Sequence, residues 1–331
     1  MRQFTVSENE AGQRLDKLLA KYMDQAPKSF FYKMLRKKNI TLNSKKAAGN
    51  EKLVQGDVIK MFLAEETIAG FQSQKKTVRT DKKLDILYEN RHVMLLNKPC
   101  GVLSQRADKK DISMVEYVIS HLLETGQITE EMLKTFRPSV CNRLDRNTSG
   151  ILAAGKTLLG LQTLSELFKN RTVHKFYLCV VKGVVKERQE LRGWLLKDEK
   201  TNQVHICREQ RADAKQIHTR YRPIADNGKE TLLEVELLTG RTHQIRAHLA
   251  FAGHPLFGDA KYGDANLNKA LEKEYGLHGQ LLHAYRLEMP RLTGEFADMS
   301  EQCFYAPVPE LFLKIAKERR LGGWRHGIPV D

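Results

Sequence analysis

Strand-length apolar stretches follow one another closely in the middle of this 331-residue chain. HKFYLCVVKG (residues 174–183), QIHTRYRPIA (216–225) and TLLEVELL (231–238) are either continuously apolar or alternate with a period of two, as β-strands do. Helical spacing is present elsewhere, for example in TGRTHQIRAHLAFAG (239–253), but strand candidates outnumber helices. We therefore predict an α+β fold with a mixed, largely antiparallel sheet flanked by helices.

The beginning of the chain has a different pattern. RLDKLLAKYM (14–23) and KSFFYKMLRKK (28–38) carry apolar residues at helical spacing, and short strand candidates lie on both sides of the turn-like VQGD (54–57). Residues 1–84 hold 18 Lys or Arg against 9 Asp or Glu, and the whole chain has a formal net charge of +15. We predict a compact cationic module at residues 1–63 that binds a polyanion, with lysines that only maintain solubility as the alternative.

The linker segment, the cysteines and the missing targeting patterns indicate how the chain is divided and in which compartment it lies. Residues 64–84 are polar and aperiodic, as a linker is, and strand candidates then resume in a predicted second, larger domain at 85–331. The five cysteines are an odd number and include no C-x-x-C pair, which argues against a disulfide framework and a four-ligand zinc site. Because signal-peptide and membrane-span patterns are also missing, we expect a cytoplasmic protein with no membrane partner.

The stretch NRLDRNTSGILAAGKT (142–157) fits two incompatible interpretations. Its end matches G-x-x-x-x-G-K-[ST], the phosphate-binding loop of nucleotide-binding proteins. That loop needs an apolar strand before its first glycine, whereas here a polar segment precedes Gly150, and the supposed loop interior is apolar. We therefore predict that Ile151–Ala154 form a strand and that Asp145 is presented at its mouth, with no nucleotide cofactor and no triphosphate for Lys156 to hold.

Several blocks in order resemble the RluA-type pseudouridine synthases, in particular the RluC/RluD-like members. The blocks are NRLDRNTSGILAAGKT, HKFYLCVVKG, LLTGRTHQIRAHLAFAGHPLFGDAKYG, LLHAYRLEMP and FYAPVP, across about residues 85 to 312. RLDKLLAK, KNITLNSK and VQGDVI in turn resemble the S4 RNA-binding domain that is often attached in that family, with a generic helical mini-domain as the alternative. The chain departs from the family pattern at Asn142, where the pattern usually has His. This difference affects the surroundings of Asp145 more than Asp145 itself.

The resemblance implies roles for four residues. Asp145 is the catalytic aspartate, Arg246 is the arginine that pairs with it, and Tyr177 lies against the target uracil and takes its C5 proton. Arg143 would fill the stack that a flipped uridine leaves. A planar guanidinium can hold a carboxylate through two hydrogen bonds, which we expect between Arg246 and Asp145. Three of these residues also have a purely structural alternative: a turn cap for Asp145, a surface helix position for Arg246 and a half-buried strand position for Tyr177.

The function implied is isomerisation of uridine to pseudouridine in RNA, without a metal or another cofactor. The implied partner is RNA, in particular large-subunit ribosomal RNA or an assembling large subunit. Arg241 and His243 fit pocket or phosphate contacts and equally fit structural positions before a helix, so we do not assign them a catalytic role. The alternative of a different class is a non-catalytic S4-type RNA-binding protein or RNA chaperone.

Overall fold

The computed structural model describes residues 1–73, 79–108, 110–325 and 328–330. The part before residue 74 holds a small sheet and three helices. Their bounds are β1 Arg2–Thr5, α1 Leu15–Tyr22, α2 Lys28–Arg36, β2 Ile40–Leu42, β3 Lys45–Lys46, β4 Val58–Met61 and α3 Glu65–Gly70. These strands pair antiparallel in the order β1-β4-β2-β3. The two helices and the short strands that we predicted in this region are confirmed.

The apolar faces of α1 and α2 form the core of this N-terminal part. Helix α1 buries Leu15, Leu18 and Leu19, and α2 buries Phe31 and Leu35. This i, i+3, i+4 spacing places one stripe of each helix against the sheet. The basic residues at the end of α2 lie outside that stripe and are exposed to solvent.

Helix α3 lies inside the segment 64–84 that we predicted as a linker. Ile68 is fully buried in the N-terminal core, and Asp24 accepts hydrogen bonds from the backbone N–H (2.8 Å) and the hydroxyl (2.6 Å) of Ser73. A single buried apolar residue in a polar segment produces no periodicity, so the pattern could not reveal this helix. Residues 74–78 of the predicted linker lie outside the described residues, and the division of the chain into domains stays a prediction.

A large mixed sheet organises the rest of the chain. Its strands and the helices around it are β5 Ile86–Glu89, β6 Val93–Lys98, α4 Met114–Glu124, β7 Ser139–Val140, β8 Ser149–Gly155, α5 Leu158–Asn170, β9 His174–Lys182, β10 Gln189–Asp198, β11 Gln203–Cys207, β12 Lys215–Asp226, β13 Glu230–Leu237, α6 Gln244–Phe251, α7 Ala265–Tyr275, β14 Leu282–Glu288, β15 Cys303–Tyr305 and α8 Glu310–Glu318. Two further strands, β16 Gly323–Arg325 and β17 Ile328–Val330, form a separate hairpin.

The pairing in the large sheet is almost entirely antiparallel. Within the described residues the order is β11-β10-β12-β13-β9-β14-β8-β6-β5, with β7 beside β8 and β15 beside β14. The pair of β8 and β14 is parallel, and the other neighbours are antiparallel. The predicted α+β class with a mixed, largely antiparallel sheet is confirmed.

Strand β9 separates two apolar layers. Tyr177 and Cys179 face a layer that contains residues of α4 and α6, whereas Leu178 and Val180 face a layer covered by α7 and α8. Successive side chains of a strand point to opposite faces, so β9, which was predicted as a strand, contributes to both layers. Side chains at odd positions of β9 consequently point toward the side of the sheet where α6 lies.

Strand β8 occupies the stretch that resembles a phosphate-binding loop. All of Ser149–Gly155 is buried, which confirms the predicted strand. Both glycines of the apparent loop are explained by packing. A Cβ on Gly150 would lie 2.1 Å from the carbonyl oxygen of Ala284 in β14, and a Cβ on Gly155 would lie 2.5 Å from the Cα of Leu161 in α5. The motif match therefore arises from close backbone approaches and not from phosphate binding.

Lys156 and Thr157 complete the apparent loop, and both have structural partners. The buried ammonium of Lys156 donates to Glu89 Oε1 (2.5 Å) and to the carbonyl of Asn90 (2.8 Å). The hydroxyl of Thr157 accepts from the backbone N–H of Gly160 (3.1 Å) and so caps α5. These contacts leave neither side chain directed at a nucleotide.

We predict that Lys156→Met lowers stability and leaves nucleotide response unchanged. The half-buried Glu89 would lose its cation, which we expect to cost about 1–3 kcal/mol in urea unfolding. ATP should not shift the unfolding midpoint of either protein, because a ligand stabilises only the state that it binds. An ATP-dependent stabilisation that disappears in the variant would restore the phosphate-loop interpretation.

Candidate active site

Asp145 lies in the loop between β7 and β8, and Asn142 fixes the start of that loop. The side-chain oxygen of Asn142 accepts from the backbone N–H of Ala153 (2.8 Å), and its amide nitrogen donates to the carbonyl of Ile151 (3.4 Å). The amide thus imitates a peptide group and prolongs the pairing of β7 with β8. The residue that departs from the family pattern therefore holds the chain in place just before Asp145.

Lys98 holds the other side of the same loop. It is fully buried at the end of β6, and its ammonium donates to the carbonyls of Pro99 (2.9 Å), Val102 (2.7 Å) and Arg146 (2.9 Å). Burial lowers the pKa of Lys98 to about 8. Since Arg146 follows Asp145 directly, this cation ties the backbone beside the carboxylate to β6.

Arg246 lies in the first turn of α6 and joins two carboxylates. Its Nη1 donates to Asp145 Oδ2 at 2.8 Å, while its Nε and Nη2 donate to the two oxygens of Asp259 at 2.7 and 2.8 Å. The predicted contact between Asp145 and Arg246 is present, but the two-bond grip expected there is wrong. The planar guanidinium directs its two-pronged edge at Asp259, so a single N–H remains for Asp145.

The two carboxylates differ in exposure and in role. The side chain of Asp259 has no exposed surface, whereas that of Asp145 is 25% exposed. Burial alone would raise the pKa of Asp259, but the hydrogen bonds and charge of Arg246 and two backbone donors outweigh it and lower that pKa. Burial likewise opposes the charge of Arg246, and the two carboxylates nevertheless raise its pKa. Asp259 therefore holds the Arg246 guanidinium in place and in its charged form. Asp145, which is partly exposed in the pocket, pairs with the same guanidinium.

Gln244 anchors the segment that leads into α6. Its amide nitrogen donates to the carbonyl of His218 (3.1 Å) and the hydroxyl of Thr219 (3.0 Å) on β12. Its amide oxygen accepts from the hydroxyl of Thr239 (2.8 Å) and the backbone N–H of Arg241 (3.1 Å). All four hydrogen-bonding positions of the amide are used, which fixes the turn just before Arg246.

His243 precedes α6 in a left-handed conformation, with φ 51°. Its Nδ1 lies 3.0 Å from the hydroxyl of Tyr262, which also accepts from the backbone N–H of Val204 (2.8 Å), and its Nε2 lies 3.9 Å from Asp145 Oδ2. Burial lowers the pKa of His243, so the imidazole is neutral near neutral pH. His243 is thus a pocket residue beside Asp145, one of the two positions that the sequence left open.

Tyr177 lines the same pocket as Asp145 and Arg246. Burial raises the pKa of the Tyr177 hydroxyl far above its usual value, and the charge of Asp145 raises it further. The phenol is therefore protonated at neutral pH. Arg143 is exposed at the rim of this pocket, so the structure brings all four predicted site residues together.

The pocket opens into a cleft of ≈ 1050 Å³. Cationic side chains line its walls, among them Arg106, Arg143, Arg171, Lys175, Arg241 and Lys261. The cleft is larger than a pocket for one small ligand needs, and its charge suits a polyanion. Its volume and charge are therefore compatible with a segment of a polyanionic chain.

The described residues contain no cluster of three or more His, Cys, Asp or Glu side chains arranged to hold a metal ion. In the same ranges, none of the helices combines the length and the apolar character that crossing a membrane requires.

Comparisons with known proteins identify the family of this chain. The family described as RNA pseudouridylate synthase matches residues 92–251, which include the Asp145 loop, Tyr177 and Arg246. A protein of Vibrio vulnificus (strain CMCP6) named ribosomal large subunit pseudouridine synthase C is 32% identical over 324 residues, 95% of each chain. The chain belongs to the RNA pseudouridylate synthase family.

Further members of this pseudouridylate synthase family are similar over most of the chain. The protein of the same name from Pasteurella multocida (strain Pm70) is 32% identical over 306 residues, 89% of this chain and 88% of its own. The solved structure of human RNA Pseudouridylate Synthase Domain Containing 4 has a TM-score of 0.58 at 23% identity, covering 73% of this chain and 95% of that one. It shows the same fold, so the predicted family and fold class are both confirmed.

The catalytic roles of Asp145, Tyr177, Arg246 and Arg143 stay predictions in this pseudouridylate synthase. Sequence reasoning missed Asp259 and Lys98, which fix Arg246 and the Asp145 loop. Asp259 lies within the block that carried the family resemblance, but nothing in the spacing pairs it with Arg246.

Proposed function

We propose that this protein isomerises uridine to pseudouridine in large-subunit ribosomal RNA. The observation that carries the proposal is the ion-paired Asp145, 25% exposed at the bottom of a cationic cleft that can admit RNA. The relatives named ribosomal large subunit pseudouridine synthase C support this class of RNA. Such a substrate is met in the cytoplasm, the compartment that we expected.

The reaction breaks the bond from C1′ to N1 of the uracil and forms a bond from C1′ to C5. The proton on C5 leaves and N1 gains one, so the net change is an isomerisation that needs no oxidant or reductant. A carboxylate can attack and leave again, which suits Asp145 as the group that begins the exchange. Arg246 holds that carboxylate through one hydrogen bond of 2.8 Å and leaves its other oxygen free of this contact.

We propose that Tyr177 contacts the uracil ring and does not remove the C5 proton. Its phenol lines the pocket beside Asp145, and burial raises its pKa, so a tyrosinate base is scarce at neutral pH. Arg143 lies exposed at the rim, where its flat guanidinium would occupy the stack vacated by a flipped uridine. Flipping is required because a base that is stacked inside structured RNA cannot enter the pocket beside Asp145.

The N-terminal part, which resembles an S4 domain, is proposed as an RNA anchor. Lys33, Arg36, Lys37 and Lys38 at the end of α2 are all exposed. Exposed cations of this kind supply affinity for phosphates without reading sequence.

We predict that changing these four cations to Gln weakens RNA binding and leaves kcat at saturating RNA unchanged. The slope of log Kd against log salt should fall by about 0.7–0.9 for each phosphate that is no longer neutralised. Point substitutions are preferable to truncation. Truncation would also remove Glu10, which accepts a hydrogen bond from Thr135 (2.5 Å) in the large domain. The control removes four other exposed lysines, Lys269, Lys273, Lys314 and Lys317 on α7 and α8. Equal salt slopes in both variants would remove the anchoring role from α2.

The proposed function is tested by mapping pseudouridine in large-subunit ribosomal RNA from cells with and without this protein. We expect at least one position to lose the modification, and a plasmid copy of wild type to restore it. If every position kept its modification while RNA binding was intact, the rival interpretation of a non-catalytic RNA-binding protein would be favoured. The Asp145→Asn protein should fail to restore any position that wild type restores.

A further inference from the structure

Two cations at the edge of the cleft lie close together without an acidic partner. Arg171 ends α5 in a left-handed conformation (φ 60°), and Lys175 follows it near the start of β9. Both side chains line the cleft. In the described ranges, neither side chain makes a hydrogen bond or an ion pair with another residue.

The half-buried Lys175 differs from the buried lysines Lys98 and Lys156. Lys98 donates to three carbonyls and Lys156 to a carboxylate and a carbonyl, so the structure compensates their charges. Burial, with the positive charge of Arg171, lowers the pKa of Lys175 to about 8. Placing a half-buried ammonium beside a second cation costs free energy unless an anion joins them.

The position of Lys175 relates it to the candidate active site. Lys175 and Tyr177 point to the same side of β9, and both line the cleft. Residues two apart on a strand are separated by about 7 Å. An anion bound at Lys175 would therefore lie beside the uracil position, within reach of the phosphates that flank a flipped nucleotide.

We propose that Lys175 and Arg171 form a binding site for one backbone phosphate of the RNA next to the uridine that enters the pocket. This inference rests on the proposed function and adds a positioning contact to it. The guanidinium supplies a planar pair of donors and the ammonium a compact charge, so a single phosphate can contact both and reduce the repulsion between them. Such a contact positions the nucleotide and carries no information about sequence.

The test compares Lys175→Gln, Lys175→Arg and Arg171→Gln with wild type. Binding is measured with a short single-stranded, uridine-containing RNA oligonucleotide over a range of salt, which does not require turnover. We expect Lys175→Gln and Arg171→Gln to bind about tenfold more weakly, with a salt slope lower by about 0.7. Lys175→Arg keeps the charge and should bind like wild type.

Turnover adds a second readout, with unmodified large-subunit ribosomal RNA transcribed in vitro as substrate. Lys175→Gln should raise KM and leave kcat unchanged, because the phosphate contact exists in the bound substrate and in the transition state alike. The control is Lys229→Gln, an exposed lysine in the turn before β13 that lies outside the cleft lining. It removes the same charge and should leave KM and the salt slope as in wild type.

Several outcomes would overturn the proposal. One is a salt slope in Lys175→Gln and Arg171→Gln equal to that of Lys229→Gln. Another is a kcat of Lys175→Gln that falls while its KM stays equal to that of wild type. If Lys175→Gln melts well below wild type, the result for Arg171→Gln decides whether the phosphate site exists. The Arg171 side chain is exposed, so its replacement should not disturb packing. Wild type that binds the oligonucleotide with the expected slope but forms no pseudouridine would contradict the proposed function and leave the phosphate site supported.

Discussion

Asp145→Asn should eliminate pseudouridine formation while the protein stays folded and binds RNA. The amide keeps the shape of the carboxylate, but it has neither the charge nor the nucleophilicity that the exchange at C1′ requires. We expect turnover to fall by at least about a thousandfold. Arg246 keeps both of its hydrogen bonds to Asp259, so we expect stability to change by no more than about 1 kcal/mol. The measurement is release of tritium from RNA labelled at C5 of uridine, in a single turnover.

The matched control for this variant is Asp226→Asn. Asp226 is exposed at the end of β12, where it accepts a hydrogen bond from the backbone N–H of Gly228 (2.9 Å) outside the cleft. It should release tritium like wild type. If Asp145→Asn kept even a tenth of the wild-type rate, Asp145 would not be the catalytic carboxylate, and the mechanism proposed above would have to be abandoned.

Local patterns predicted the elements that position the site. The strand-like pattern of HKFYLCVVKG predicted β9, which presents Tyr177 to the site, and the apolar interior of GILAAG identified β8 against the competing phosphate-loop interpretation. Both signals work because strand geometry ties side-chain direction to sequence with a period of two. The family resemblance then supplied Asp145 and Arg246, which the fold brings to within 2.8 Å.

Contacts between distant segments could not be predicted in the same way. Lys98 is satisfied by carbonyls of two different loops, and no property of its neighbours in sequence indicates those acceptors. Asp259 lies in a loop after α6, and its partner is set by how that loop folds back over the helix. Such pairings depend on three-dimensional approach, so they become visible only in the structure.

Asp259→Asn should destabilise the protein and impair catalysis together. The amide retains an oxygen for the backbone N–H groups of Lys261 (2.9 Å) and Tyr262 (3.1 Å) and for Nη2 of Arg246, but its nitrogen would face the Nε donor of Arg246. Breaking a buried ion pair by removing one charge typically costs about 3–5 kcal/mol, which we expect in urea unfolding. The guanidinium would no longer be fixed beside Asp145, so kcat should fall by about a hundredfold.

The control for Asp259→Asn is Asp264→Asn, a carboxylate five residues later in the same segment. Asp264 caps α7 and pairs with Lys182 at 2.5 Å, and its side chain is 27% exposed. Asn is an equally good cap, and an exposed pair contributes at most about 1 kcal/mol, so both stability and kcat should stay near wild type. Equal urea midpoints for the two variants would show that Arg246 does not depend on Asp259.

The pH dependence of stability separates the charge of Asp259 from its shape. Arg246 lowers the pKa of Asp259, so the unfolded state binds a proton more readily than the folded state does. The stabilisation is therefore fully present above the usual aspartate pKa and is lost as pH falls through the lower, folded value. The difference in unfolding free energy between wild type and Asp259→Asn should stay constant from neutral pH to about pH 5 and shrink below about pH 4. A difference that stays constant down to about pH 2.5 would mean that packing of the carboxyl group, and not its charge, holds Arg246 in place.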